Sequence, residues 1–464
     1  MIQQLVIENF LSFKDRVTFN MQPGRATKLK NHKAEPVKGN VVLKTAAIFG
    51  ANAGGKSNFI KAIELGKRLV LQGTSNEELI EYKPFRLSPE NKTRDTTLVY
   101  QILCNNKKYE YGFSYNAEKI TEEWLDIITR KTTYHLFKRD NDNTIKMPLL
   151  LKNNNKEEEK QFLQFFAKAT PLKQLFLHEV YSRNIHDNVS DISDIEAIIS
   201  WFSDSLKIIF PDTPYKQGVW LKAADDDGLR IVFKALLKYF DTGIDDIYLK
   251  EVELDKLGIP QDLQRMIKAD MSKSSSQEAF GALKLKDNLY LIKLSDGELN
   301  AKKLMTIHHQ IGTSNTEYFS LEEESDGTKR LFDYIPLIID FIYGNKVFIV
   351  DEIERSLHPT LIRKILDLFY AYSEDTPCQL IFTTHESSLM TQKLLRSDEI
   401  WLLKKKDGIS TMSTIDKSYK PRFDKILNQS YLDGEYGAIP DLASNEKFLS
   451  FLKNMKKKSD STIY

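Results

Sequence analysis

The chain has 464 residues, and its 66 lysines and arginines nearly cancel 65 aspartates and glutamates to leave a formal net charge of +1. That length exceeds one ordinary core and implies two or three domains, and the balanced charge announces neither a nucleic-acid nor a membrane partner, leaving only a local basic patch open. The two cysteines, Cys104 and Cys378, form no CxxC pair, which excludes a disulfide framework or zinc cluster and suits the cytoplasm.

The N-terminus, MIQQLVIENF, lacks the basic and long apolar segments of a signal peptide, and even YIPLIIDFIYG is interrupted by Asp340. No run approaches the ~18 apolar residues of a membrane span. Residues 2–20 alternate Ile2, Leu5, Ile7, Phe10, Phe13, Val17 and Phe19 with polar residues. They predict two strands around a turn at Leu11–Asp15, with core phenylalanines. Ala46–Phe49 then runs into Gly50-Ala51-Asn52-Ala53-Gly54-Gly55-Lys56-Ser57, after which Phe59, Ile60, Ile63 and Leu65 have helical spacing. This is strand, glycine loop, helix, the context in which G-x-x-x-x-G-K-[ST] binds phosphate. Glycines let the loop curl until its N–H groups form an anion nest at the positive end of the helix. Lys56 is placed to reach the β- and γ-phosphates, and Ser57 to offer a hydroxyl to Mg²⁺.

From Thr96 to Arg130 the pattern predicts a β-meander whose aromatics, Tyr109, Tyr111, Phe113 and Tyr115, pack one face. The charged stretch LKNNNKEEEK at 151–160 opens a composition shift, and QFLQFFAKA, DIEAIISWFSDSLKIIF and LRIVFKALLKYF have three- and four-residue apolar steps. A mainly helical insertion is therefore expected over 140–300, with a polar break at 271–279 and no sustained heptad seam. Sheet character returns at DNLYLIKL and AKKLMTIHHQI. There His308 and His309 point to opposite faces and read as structural.

After the acidic run Glu322–Glu324 and a helical LFDYIPLIIDFI, the stretch Lys346–Pro359, KVFIVDEIERSLHP, reads as a buried strand delivering Asp351 and Glu352 to its carboxyl end. A helix follows, then a second buried strand at Gln379–Thr383 leading to His385, then a hairpin in EIWLLKKKDGISTMSTI. A phosphate loop, a strand ending in Asp-Glu and a neighbouring strand ending in His fit ATP hydrolysis. Asp351 would hold Mg²⁺, Glu352 would polarise the attacking water, and His385 would stabilise the γ-phosphate. The four lysines within 453–458 read as a solvated terminus.

Five motifs resemble the ABC-type ATPase superfamily, in its branch of SMC, Rad50, RecF and OLD-type ATPases: IENFLSF, GANAGGKS, ESDGTKR, VFIVDEIERSLHP and TTHESSLM. GANAGGKS, with Asn52, is similar to the Walker A loop, making Gly50, Asn52, Gly54, Gly55, Lys56, Ser57 and Asn58 the nucleotide-binding candidates. ESDGTKR is similar to the ABC signature, in which Ser325, Gly327 and Thr328 would contact the nucleotide of an opposite subunit. Ser356–Pro359 resembles a D-loop, with Ser356 and with His358 where transporters carry Asp, and His385 is the switch histidine. Gln101 is a candidate for the Q-loop. ESDGTKRLF, DEIERSLHP, IFTTHESSLM, SDEIWLLKK and YLDGEYGAIP further resemble the AAA15 group, the ATPase subunits of abortive-infection and PARIS-type phage defence.

The fold class so implied is α/β, an ABC-type P-loop ATPase head with a mixed sheet and an antiparallel β-subdomain, carrying the helical insertion. Its expected divisions are an N-terminal lobe at 1–139, the insertion at 140–300, a C-terminal lobe at 301–440 and a tail at 441–464. The implied function is ATP binding and hydrolysis at subunit interfaces, with ATP and Mg²⁺ as cofactors and a homodimer at minimum. The nucleotide state would sense infection and hold or release a separate effector, a nuclease or toxin. Two alternatives stand beside it: a RecF- or Rad50-like head that clamps DNA, against which the neutral charge and missing coiled coil weigh, and a scaffold that binds ATP without turnover, against which Glu352 and His385 weigh.

Overall fold

The computed structural model of the chain describes residues 1–460 except 76, 155, 214, 217–218, 273–278, 286–287, 296, 375, 423–424 and 440–444. The polar break expected at 271–279 lies mostly outside the described residues.

The central sheet is built from the most apolar short segments of the sequence. Its strands run in the order Leu206–Ile209, Val347–Val350, Gln379–Thr384, Thr45–Phe49, Ile400–Lys406 and Ile409–Thr414. Every pairing is parallel except the last, the hairpin read from EIWLLKKKDGISTMSTI. Val347–Val350, Gln379–Thr384 and Thr45–Phe49 are buried throughout, as strands covered on both faces must be. Alternate residues feed two different cores. Ala46, Ile48, Val347, Ile349 and Ile381 join the core shared with the helix Lys56–Gln72 and the meander, while Ala47, Phe49, Phe348, Val350, Leu380 and Phe382 join the core shared with the helices Asp326–Tyr343 and Pro359–Tyr372.

The N-terminal strand Ile2–Glu8 does not enter this sheet. It pairs with Val17–Asn20 and Thr96–Cys104 in an antiparallel sheet that continues through Lys107–Tyr115, Ile120–Ile128, Thr133–Arg139 and Ile145–Lys146. One buried side chain ties the two sheets. Gln379 Oε1 accepts from Ile2 N at 2.6 Å, and its Nε2 donates to Ile2 O at 2.8 Å and Leu43 O at 2.9 Å.

Residues 140–300 carry the helices Glu157–Ala169, Phe176–Arg183, Ser193–Ser200, Asp227–Tyr239 and Gln261–Ser272. Within this segment Leu206–Ile209, read from sequence as the end of a helix, is a strand beside Val347–Val350. Its apolar residues fit either period, and pairing with a buried neighbour decides it. A π-turn at Trp201–Ser205 closes the preceding helix. An outer antiparallel sheet follows, in the order Asp246–Val252, Glu298–His309, Asn288–Ser295 and Ala279–Leu285, with Thr316–Ser320 also paired to Glu298–His309. Leu249, Leu291 and Leu304 from this sheet share a core with Phe332 and Ile335 of the helix Asp326–Tyr343. Among the described residues no helix is long and apolar enough to cross a membrane.

Replacing Gln379 by Ala orphans buried backbone groups of Ile2 and Leu43 and opens a small cavity. The expected loss is about 2–4 kcal/mol of unfolding free energy, to be measured by urea denaturation; a loss under about 0.5 kcal/mol would show that the amide bridge contributes little.

Candidate functional site

The register of the parallel strands gathers the candidate residues at one edge. Val350 pairs with Phe382 and Thr384 with Phe49. Asp351, His385 and Gly50 therefore leave adjacent strands side by side, at the carboxyl ends where ligands of open α/β sheets bind.

The loop after Phe49 is curled as the glycine pattern requires. Gly55 has φ +114°, and a Cβ there would stand 2.4 Å from Ser410 Oγ and 2.8 Å from Ser12 Oγ. A Cβ on Gly50 would meet Leu403 O at 2.5 Å. Only glycine fits either place. Ala53 also takes a left-handed φ of 60°. Beneath the loop, Ser410 Oγ lies 2.7 Å from Gly54 O and 2.8 Å from Ser12 Oγ, and Asn58 Nδ2 donates to Ser12 Oγ at 2.8 Å. Asn58 thus braces the loop from below. Asn52 is exposed and Ser57 half-buried at the start of the helix.

Lys56 is 5% exposed, and its ammonium donates to Gly50 O at 2.7 Å and Ala51 O at 3.2 Å, with His385 Nδ1 at 3.4 Å. Burial lowers its pKa to about 8, an effect opposed by the carboxylates of Glu354, Asp351 and Glu352 in that order. His385 is likewise lowered, first by burial and then by the Lys56 charge.

Asp351 is buried, and Thr383 Oγ1 donates to its Oδ1 at 2.6 Å. The same hydroxyl accepts from Glu352 N at 2.8 Å. Glu352 sits at φ 49°, a left-handed backbone that costs a β-carbon residue on the order of 1 kcal/mol and that clusters at working sites. Glu354, which no motif reading singled out, accepts from His385 N at 2.5 Å through Oε1, while its Oε2 is buried without a hydrogen-bond partner among the described residues.

The signature candidates lie elsewhere. Ser325 caps the helix Asp326–Tyr343, its Oγ accepting from Thr328 N at 3.1 Å with Thr328 Oγ1 at 2.9 Å. A Cβ on Gly327 would stand 3.0 Å from Ser356 O, so this helix start abuts its own chain's Ser356. Ser356 takes a φ of 61°, and His358 caps the next helix, accepting from Thr360 N at 3.3 Å. Among the described residues no hydrogen bond joins 325–328 to the loop at 50–58. Gln101 Nε2 donates to Glu110 Oε2 at 2.8 Å on the meander. His308 and His309 diverge, to Glu324 and Asp245 respectively.

The residues present fit a magnesium nucleotide. The nest offers N–H groups and a buried ammonium to phosphate. Asp351 and the orphaned Glu354 oxygen supply only hard oxygen ligands, and no group of three or more His, Cys, Asp or Glu side chains that could hold a metal by itself occurs among the described residues. That is the donor set of Mg²⁺, which takes few protein ligands and completes its shell with water and phosphate.

The profile of the AAA_21 family, described as "AAA domain, putative AbiEii toxin, Type IV TA system", matches residues 46–391. The chain belongs to this family. No curated protein matches the AAA_21 chain. Three solved structures are similar to it. An SMC head bound to the C-winged helix domain of ScpA aligns at 12% identity and TM-score 0.42, covering 90% of this chain and 99% of the SMC head. The SMC head domain from Thermotoga maritima aligns at 11% and 0.32, over 89% and 98%. The SMC head with an extended coiled coil, bound to the C-terminal domain of ScpA derived from Pyrococcus furiosus, aligns at 14% and 0.35, over 90% and 98%. The AAA_21 chain thus carries an AAA domain over residues 46–391, and the architecture above rests on its own strand order.

Phosphate binding favours the charged Lys56, so ATP binding near pH 8 is expected to take up a proton. Affinity should be greatest below pH 8 and weaken by up to about tenfold per unit above it. Glu354→Gln removes a carboxylate that holds the pKa up, and should move this loss to lower pH. Calorimetry in buffers of different ionisation enthalpy measures the uptake; equal heats in all buffers would refute it.

Proposed function

We propose that this AAA_21 chain binds and hydrolyses ATP at interfaces between its own copies, and that its nucleotide state holds or releases a separate effector, a nuclease or toxin, in anti-phage defence. The observation that carries the ATPase reading is the convergence of Lys56, Asp351, Glu352, Glu354 and His385 at one sheet edge, while among the described residues no hydrogen bond joins Ser325–Thr328 to the loop at 50–58. The family description supports a toxin–antitoxin context, and the AAA15-like motifs point to the defence branch. The divisions at 139, 300 and 440 and every residue role below belong to this proposal.

In this reading the ammonium of Lys56 leaves the carbonyls of Gly50 and Ala51 for the β- and γ-phosphates, which the start of the helix Lys56–Gln72 also attracts. Ser57 and Asp351 would hold Mg²⁺, which supplies charge neutralisation of the phosphates when bound. Glu352, at the rim of the site, accepts the proton of the attacking water. His385 is set by Glu354 and donates toward the γ-phosphate. Asn52 lies on the loop's outer rim, and Asn58 acts through Ser12.

One chain carries only half of a closed site. Ser325, Gly327 and Thr328 present a helix N-terminus outward, so a second copy would offer it to the nucleotide held by the first. Ser356 and His358 adjoin the same surface and would carry the nucleotide state across the interface. ATP then joins two subunits at minimum.

Glu352→Gln is expected to retain ATP binding, to lower kcat by at least about 100-fold and to accumulate ATP-bound dimers in light scattering; turnover at the wild-type rate would remove Glu352 from its role. Ser325→Arg and Lys56→Ala should each be inactive alone yet regain activity when mixed, since each supplies the half that the other lacks. A mixture as inactive as its parts would overturn site sharing.

A further inference from the structure

Three consecutive acids, Glu322, Glu323 and Glu324, immediately precede the helix whose start is read above as an anion site. A helix N-terminus attracts carboxylates as well as phosphate. The expectation for such acids is that one folds onto the helix and caps it. None does.

Each is tied elsewhere. Glu322 Oε2 accepts from Asn288 Nδ2 at 2.8 Å. Glu323 Oε2 accepts from Ser320 N at 2.7 Å and Ser320 Oγ at 2.8 Å. Glu324 Oε1 accepts from Thr306 Oγ1 at 2.5 Å and lies 2.8 Å from His308 Nε2. A carboxylate only accepts, so that ring nitrogen carries the hydrogen. The His308 ring is in turn fixed edge-on against Phe319, with centroids 4.9 Å apart. Asn288, Thr306 and His308 all stand on the outer sheet, on Asn288–Ser295 and Glu298–His309. Meanwhile the helix start is left open: Thr328 N is taken by Ser325 Oγ, but among the described residues no side chain accepts from the N–H of Asp326 or Gly327.

We propose that Asn288, Thr306 and His308 are positioning residues that hold Glu322 and Glu324 away from the signature helix, keeping its N-terminus open to the phosphate of a neighbouring subunit's nucleotide. This rests on the shared site proposed above. Glu324 is the decisive acid, because it directly precedes the cap Ser325 and is the nearest of the three in sequence to the N–H groups of Asp326 and Gly327. Released, it is a tethered competitor for the phosphate. The outer sheet thereby sets the ATP affinity of a site to which it contributes no ligand.

The test uses full-length chains in mixed pairs. A Lys56→Ala chain supplies only the signature and a Ser325→Arg chain only the phosphate loop, so each substitution can be placed on one side of the working site. Thr306→Val with His308→Ala on the signature-supplying chain should raise the ATP concentration for half-maximal turnover about tenfold, and adding Glu324→Gln there should restore it to within about twofold. The same pair on the other chain should change neither value. Equal effects on both chains, or no rescue by Glu324→Gln, would overturn the proposal, since loss of packing alone is neither directional nor cured by removing a charge. Should the unsubstituted mixture be inactive, site sharing fails, and the tether is decided separately by hydrogen exchange on single chains. Release should slow exchange at Asp326 and Gly327 as Glu324 takes their N–H groups; unchanged exchange would then overturn the tether as well.

Discussion

The site depends on the register of one buried strand, Gln379–Thr384. It lies between the strand that ends in Asp351 and the strand that ends in Gly50, and a shift of one residue would exchange its two faces between two separate cores. That cost makes the register fixed. Thr383 then stands where its single hydroxyl can donate to Asp351 and accept from Glu352 N, and His385 falls beside Lys56. At the strand's other end, Gln379 joins Ile2 and Leu43, so the meander sheet is set by the same residue register.

Charge is arranged around Lys56 as a balance of opposed effects. Burial weakens its proton affinity and three carboxylates restore part of it, leaving an ammonium that holds two backbone carbonyls and the neutral side of the His385 ring but no carboxylate among the described residues. A charge held so lightly can be transferred to phosphate with little loss. The loop after Val350 is also connected to the helix Asp326–Tyr343 through packing. Tyr334 OH donates to Ile353 O at 3.1 Å, the Arg330 guanidinium lies over the Tyr334 ring at 4.7 Å, and Gly327 closes on Ser356 O. A displacement of residues 351–356 is therefore felt at the start of the helix Asp326–Tyr343.

The parts legible in the sequence were those with a local pattern. Val347–Val350 could be read as a buried strand because four apolar residues end in two acids, and Gly50–Ser57 because glycine, lysine and serine stand at fixed offsets between a strand and a helix. Leu206–Ile209 was not, because Leu206, Ile208 and Ile209 continue a helical period until a distant neighbour pairs with them. Glu354 looked like one more acid after Asp351 and Glu352; only the fold brings the backbone N–H of His385 to it. Ser410 and Ser12 are 398 positions apart yet touch beneath Gly55. No periodicity could have joined them. Asp246–Val252 and Ala279–Leu285 of the outer sheet were likewise hidden by short strands of mixed polarity.

The outer sheet and the signature helix form one mechanical unit. Phe332 and Ile335 share a core with Leu249, Leu291 and Leu304, so the helix cannot slide without moving the sheet's inner face. The acids just before the helix are bound to the same sheet by hydrogen bonds rather than by apolar contact. Packing is non-directional, and it tolerates small shifts that a charge-assisted hydrogen bond does not. A small distortion of Glu298–His309 would thus leave the helix packed while loosening Glu324. Anything that binds the outer sheet and bends that strand acts first on the hydrogen bonds of Glu324, and through them on the proposed anion site, and only afterwards on the fold.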